Sequence, residues 1–185
     1  RGPCYSSPVS SPPEVAGGHE SAARPGALPF LLSALGGGLL ALSGEPWSFN
    51  AAGFASLFVL VEALGRSSPS PRAVLQGALV GLVFGAVVNG IALYSLGSLL
   101  QTFGGFPPWL AWPTAALCFA AQGLPYALTG ALTELWVRGG LARWLSFPVS
   151  LVLAMRITPQ LFPWRPSGPQ VDFFWFAQMA DLGGE

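Results

Sequence analysis

Apolar residues gather along this chain in five long blocks, separated by short connections rich in glycine, proline, serine or arginine, and the block lengths predict helices. ALPFLLSALGGGLLALS (27–43) and NAAGFASLFVLVEAL (50–64) lie near the lower limit of the ~17 to 25 residues that cross a bilayer core. They read as a paired, partly buried hairpin. AVLQGALVGLVFGAVVNGIALYSLGSLL (73–100) is long enough, at about 1.5 Å per residue, to exceed the ~30 Å hydrocarbon thickness, so it must tilt, bend or protrude. WLAWPTAALCFAAQGLPYALTGALTELWV (109–137) is similar and carries Pro125 inside it, which predicts a kink. WLSFPVSLVLAMRIT (144–158) is the fifth block. The pattern predicts an all-α fold, a polytopic membrane helix bundle of about five spans.

Composition strengthens that reading. The 185 residues are 52% hydrophobic and 9% charged, whereas a soluble domain carries roughly a quarter charged residues. The basic residues are all arginine and are balanced by eight acidic ones. No basic surface is left to hold nucleic acid, which is excluded as a partner. Residues 1–26 are mostly serine, proline, glycine and alanine and read as a disordered tail without the order of a signal peptide. The start at Arg1 and the end at LGGE, soon after FFWF, suggest a fragment of a longer reading frame.

The arginines orient the blocks. Arg66 and Arg72 flank the second connection and Arg138 and Arg143 the fourth, while the first holds only Glu45 and the third no charge. Positively charged connections stay in the cytoplasm. The amino terminus is then cytoplasmic and the segment 159–185 lies on the outer face. Trp47, Trp109, Trp112, Trp136, Trp144, Trp164 and Trp175 all fall at or just beyond block ends, where amphipathic rings anchor in the headgroup layer. The uncharged third connection, within QTFGGFPPWLAWP (101–113), would rest in that layer with Phe103 and Phe106.

Within the third block Gly77, Gly81 and Gly85 recur every four residues and Asn89 continues their face. Small residues at that spacing let a second helix approach closely, and an amide in hydrocarbon needs a partner. Glu62 with Arg66, and Glu134 with Arg138, are i, i+4 pairs at the predicted cytoplasmic ends. Asn89 and Gln122 are the strongly polar side chains expected near mid-membrane.

Candidate chemistry is sparse. The sequence has no lysine, a single histidine (His19) and two cysteines, Cys4 and Cys118. A zinc site needs about four soft or imidazole ligands, which cannot be assembled, so no metal and no cofactor are expected. Cys118 within hydrocarbon is more simply a small packing residue than a nucleophile. No serine–histidine–aspartate set, phosphate-binding glycine loop or paired carboxylate site stands out, and no catalytic residue is assigned.

The run NGIALYSLGSLLQTFGGFPPWLAWPTAALCFAAQGLPYALTGALTELW, followed by LFPW (161–164) and the AQMADLGGE end, resembles the membrane region of the apolipoprotein N-acyltransferases. The match extends over roughly residues 27–185. The resemblance implies an enzyme of the bacterial inner membrane that moves an acyl chain from phospholipid to the amino-terminal cysteine of diacylated lipoproteins. It implies a thioester on a glutamate–lysine–cysteine triad, carried by a periplasmic nitrilase-like domain that residues 1–185, without lysine, do not contain. What carries over is a membrane platform: Thr102, Phe103, Gly104 and Gly105, with Phe162, Pro163 and Trp164, on lipid-facing segments beneath that domain. The stretch VLAMRITPQ (152–160) departs from the family in lacking an acidic residue before the FPW segment. A stand-alone lipid-binding or assembly protein is the alternative from a different class, and a small-solute transporter fragment is a third.

Overall fold

The computed structural model describes residues 26–66 and 72–162; the expected tail and most of the segment 159–185 lie outside them. The described residues form seven helices and no strand: α1 (Leu28–Leu42), α2 (Asn50–Gly65), α3 (Ala73–Ala92), α4 (Leu96–Thr102), α5 (Pro108–Gln122), α6 (Leu124–Arg138) and α7 (Arg143–Ile157). The all-helical expectation therefore holds. Two elements, Ala73–Ala92 and the run Pro108–Arg138, are long and apolar enough to cross a membrane, while α1 and α2 are shorter apolar helices.

α3 is the hub, packed on α6 and α1 and more lightly on α5 and α2. Its buried positions, Ala73, Gln76, Gly77, Val80, Gly81, Phe84, Gly85, Val88 and Asn89, form two adjacent rows, each repeating every four residues, which keep them on one side of a 3.6-residue helix. That side serves two neighbours. Val80, Phe84 and Val88 join Leu40, Leu60, Ala63, Leu64, Tyr126 and Phe147 in the core, with the Phe84 and Tyr126 ring centroids 5.0 Å apart. α1 reaches α3 through its own glycines: a Cβ on Gly37 would stand 2.6 Å from the Phe84 carbonyl oxygen. The Ser33 hydroxyl then donates to the Val80 carbonyl over 2.5 Å, joining two helices where water is excluded.

Two long blocks divide in the structure. The block 73–100, expected as one long helix, stops at Ala92, turns through 93–95 and resumes as α4. α4 packs on α5, and Gly97 faces the Trp112 ring so closely that a Cβ there would stand 2.6 Å from Cε3. The turn is what brings Gly97 to that ring. The block 109–137 breaks at Gly123, two residues before Pro125. Pro125 has no N–H for the Ala121 carbonyl and restricts the residue before it. The Gly123 N–H meanwhile is shared between the Phe119 and Ala120 carbonyls at 3.0 Å each, a local tightening of the turn.

Much of the surface is apolar. Leu31, Phe58, Leu75, Leu117, Val152 and Ile157 are among many large hydrophobic side chains left exposed. So many exposed large apolar side chains mark contact with lipid or protein rather than water.

Candidate functional site

The sequence QTFGGFPP is a helix stop followed by a helix start. α4 ends at Thr102, and the Phe103 N–H donates to the Leu99 carbonyl over 2.8 Å. Gly105 adopts φ +65°, a conformation open to glycine at little cost. That reversal brings the Phe106 N–H within 3.2 Å of the Leu100 carbonyl. Gly104 passes so near the same carbonyl that a Cβ would stand 2.6 Å from its oxygen. Pro108 then opens α5, where its missing N–H costs nothing because first-turn donors have no helical partner. The result is a tight corner whose rings point outward: Phe103 is 83% exposed, and Trp109, Trp112 and Phe106 are exposed as well. Trp47, Trp136 and Trp144 are also exposed, whereas Trp164 and Trp175 lie outside the described residues.

Gln122, the last residue of α5, is buried and uses both ends of its amide on the chain leaving α7. Its Nε2 donates to the Phe162 carbonyl over 3.0 Å, and its Oε1 accepts the Leu161 N–H over 2.7 Å. One side chain thus satisfies a donor and an acceptor of a segment that has no helix of its own. Pro163 and Trp164 lie outside the described residues. Phe162 is not brought to the 102–105 corner, because Gln122 and Pro107 stand at opposite ends of α5, about 22 Å apart at 1.5 Å per residue. The two groups of lipid-facing candidates are therefore separate along the bundle.

Gly77, Gly81 and Gly85 lie against α6. A Cβ on Gly77 would stand 2.6 Å from the Gly130 carbonyl oxygen and one on Gly85 2.5 Å from the Gly123 Cα, while one on Gly81 would overlap the Tyr126 carbonyl. The order of these contacts makes α3 and α6 antiparallel. Asn89 continues the face and its Nδ2 donates to the Gly85 carbonyl over 2.7 Å.

Ion pairing follows the expectation at one end and departs from it at the other. Arg66 and Glu62 pair within α2 at 2.6 Å, both side chains largely exposed. The Glu134 carboxylate, expected to pair with Arg138, instead accepts from the Arg143 guanidinium at the start of α7. Glu134 faces inward, 4% exposed, between α3 and α7, and its Cγ lies beside Gly77. The i, i+4 rule describes an exposed helix surface, and a buried carboxylate is claimed by the cation that shares its site. Missed from sequence were this cross-helix pair and the Gln122 clasp, although a lone glutamine in an apolar run was the visible signal for the second. Cys118 is half-buried and free.

Glycine-lined helix crossings, the Ser33 hydroxyl that donates to a neighbouring helix, other hydroxyls that donate within their own previous turn, and many large hydrophobic side chains left exposed fit a helical membrane protein. The family model of the apolipoprotein N-acyltransferase N-terminal domain matches residues 36–185, and the chain belongs to that family. No curated protein and no solved structure matches it. Family and fold together make it the membrane region of a lipoprotein N-acyltransferase.

Proposed function

We propose that this chain is the membrane platform of an apolipoprotein N-acyltransferase and lines the route by which phospholipid and diacylated lipoprotein reach the catalytic domain. The observation that carries this reading is the shared direction of the segments that leave the glycine crossing. The α4–α5 corner and the end of α7 project toward the same end of the bundle, because α6 runs antiparallel to both α3 and α7. The corner bears the exposed Phe103, Phe106, Trp109 and Trp112, suited to the headgroup layer, while the Gln122-held exit at Leu161 and Phe162 lies one α5 length nearer the glycine crossing.

In this reading α1, α2, α3, α5–α6 and α7 are the five spans, with the amino terminus cytoplasmic and residues after about 158 periplasmic in a bacterial inner membrane. Thr102, Phe103, Gly104 and Gly105 touch lipid at the periplasmic surface. Phe162, with Pro163 and Trp164, would contribute to the lipid-facing platform beneath the catalytic domain. Acyl transfer through a thioester needs a cysteine nucleophile with its lysine and glutamate partners. With no lysine among residues 1–185, the platform positions substrates and leaves that chemistry to the nitrilase-like domain.

Cysteine accessibility tests the arrangement. With Cys4 and Cys118 replaced by serine, Thr102→Cys is expected to react with an impermeant maleimide added from the periplasmic side. Ala142→Cys, in the α6–α7 connection, is expected to react only after the inner membrane is opened. The reverse pattern would invert the topology and place the platform on the wrong side for its catalytic domain.

A further inference from the structure

Where the upper part of α3, the α5–α6 break and the end of α7 meet, the structure leaves a cavity of about 10 Å³, lined by Asn89, Gln122, Pro125, Tyr126, Met155 and Gln160. That volume is near the threshold of roughly 10–15 Å³ that a single water requires. Tyr126 lines it from the first turn of α6, 2% exposed, and its buried hydroxyl has no hydrogen-bond partner among the described residues. A hydroxyl in that state is costly, because the bonds it made to water before folding have no replacement. Asn89, another lining residue, supplies what it lacks. Asn89 spends its Nδ2 on the Gly85 carbonyl, which leaves its Oδ1 as an acceptor. Gln122, already bonded to Leu161 and Phe162, adds further polar surface.

We infer that this cavity binds one ordered water molecule, which accepts the Tyr126 O–H and donates to the Asn89 amide oxygen. The water ties α6 to α3 beyond the last glycine contact, at the level where Gln122 holds the chain leaving α7. A glyceride ester spans several heavy atoms and does not fit a space of one water, so the occupant is water rather than lipid.

The test compares the full chain with its Tyr126→Phe variant in phospholipid bicelles, by reversible unfolding with increasing sodium dodecyl sulfate. The change removes one oxygen and keeps the ring, so the variant is expected to fold. With a water in place the ratio of folded to unfolded protein falls about fivefold, since a satisfied hydrogen bond is lost. A dry cavity predicts the opposite sign: deleting an unsatisfied hydroxyl raises the ratio, and that result overturns the inference. A fall seen in bicelles but absent in a detergent without carbonyl groups assigns the partner to a lipid ester and also overturns it. Resonance Raman difference spectra between the two proteins supply a second readout, in which the Tyr126 doublet must show a hydrogen-bonded hydroxyl.

Discussion

Replacing Gly81 by alanine measures how much the α3–α6 crossing contributes to the bundle. In an isolated helix the change is favourable by about 1 kcal/mol, because glycine loses more backbone freedom on folding. Here the added methyl would overlap the Tyr126 carbonyl and lie 3.0 Å from the Ala127 Cα. Both obstacles are backbone, so no rotamer change relieves the clash and the helices must separate. Overpacking of this kind costs about 1–3 kcal/mol. Separation also loosens the contacts at Gly77 and Gly85 on the same line, which places the cost at or above the upper end. The net expectation is a loss of about 2 kcal/mol, roughly a 30-fold fall in the ratio of folded to unfolded protein. Reversible unfolding in mixed micelles, followed by tryptophan fluorescence, reads that ratio. Gly38→Ala in α1 is the control, since a Cβ there meets nothing within 4 Å, and it is expected to be neutral or stabilising. Equal, small effects at the two positions would refute the claim that close backbone approach at Gly81 stabilises the fold.

Removing the carboxylate charge with Glu134→Gln leaves the Arg143 guanidinium without its anion in a largely buried site, an expected loss of about 2–3 kcal/mol after allowing for the partial exposure of Arg143. Adding Arg143→Met should recover more than half of it, and a double-mutant cycle that shows simple additivity would rule out the coupling. Gln122→Leu removes both bonds to the exit segment, so the Leu161 amide should exchange with deuterium at least about tenfold faster, while the Val80 amide in mid-α3 stays protected. Unchanged exchange at Leu161 would mean that the clasp does not hold that segment.

The helical elements were legible in sequence because each apolar block is bounded by residues that stop or start a helix for local reasons. Gly104 and Gly105 before Pro107 and Pro108 mark the α4–α5 corner without reference to any neighbour, and the stripe of Gly77, Gly81 and Gly85 announces a close crossing by its spacing. Partner choice was not legible. Glu134 has Arg138 on its own face one turn away, yet it pairs with Arg143, because only the packing of α7 against α6 decides which cation enters the buried site. Likewise Gln122 was visible as a polar residue in an apolar run, but its partners are backbone groups about forty positions later, a separation no local pattern encodes.

By itself, then, the sequence determined the environment and the elements: few charges and long apolar blocks favour a lipid-facing helical bundle, and glycine and proline set the breaks through local backbone energetics. Where the block 73–100 divides was decided by the tertiary structure, since the turn at 93–95 brings Gly97 onto the Trp112 ring, whereas the break in 109–137 was announced by Pro125 and only its seat against Gly85 came from packing. It also decided which polar groups meet, including the cavity between Asn89 and Tyr126. Propensity acts over a few residues along the chain, whereas these choices depend on contacts between helices distant in sequence.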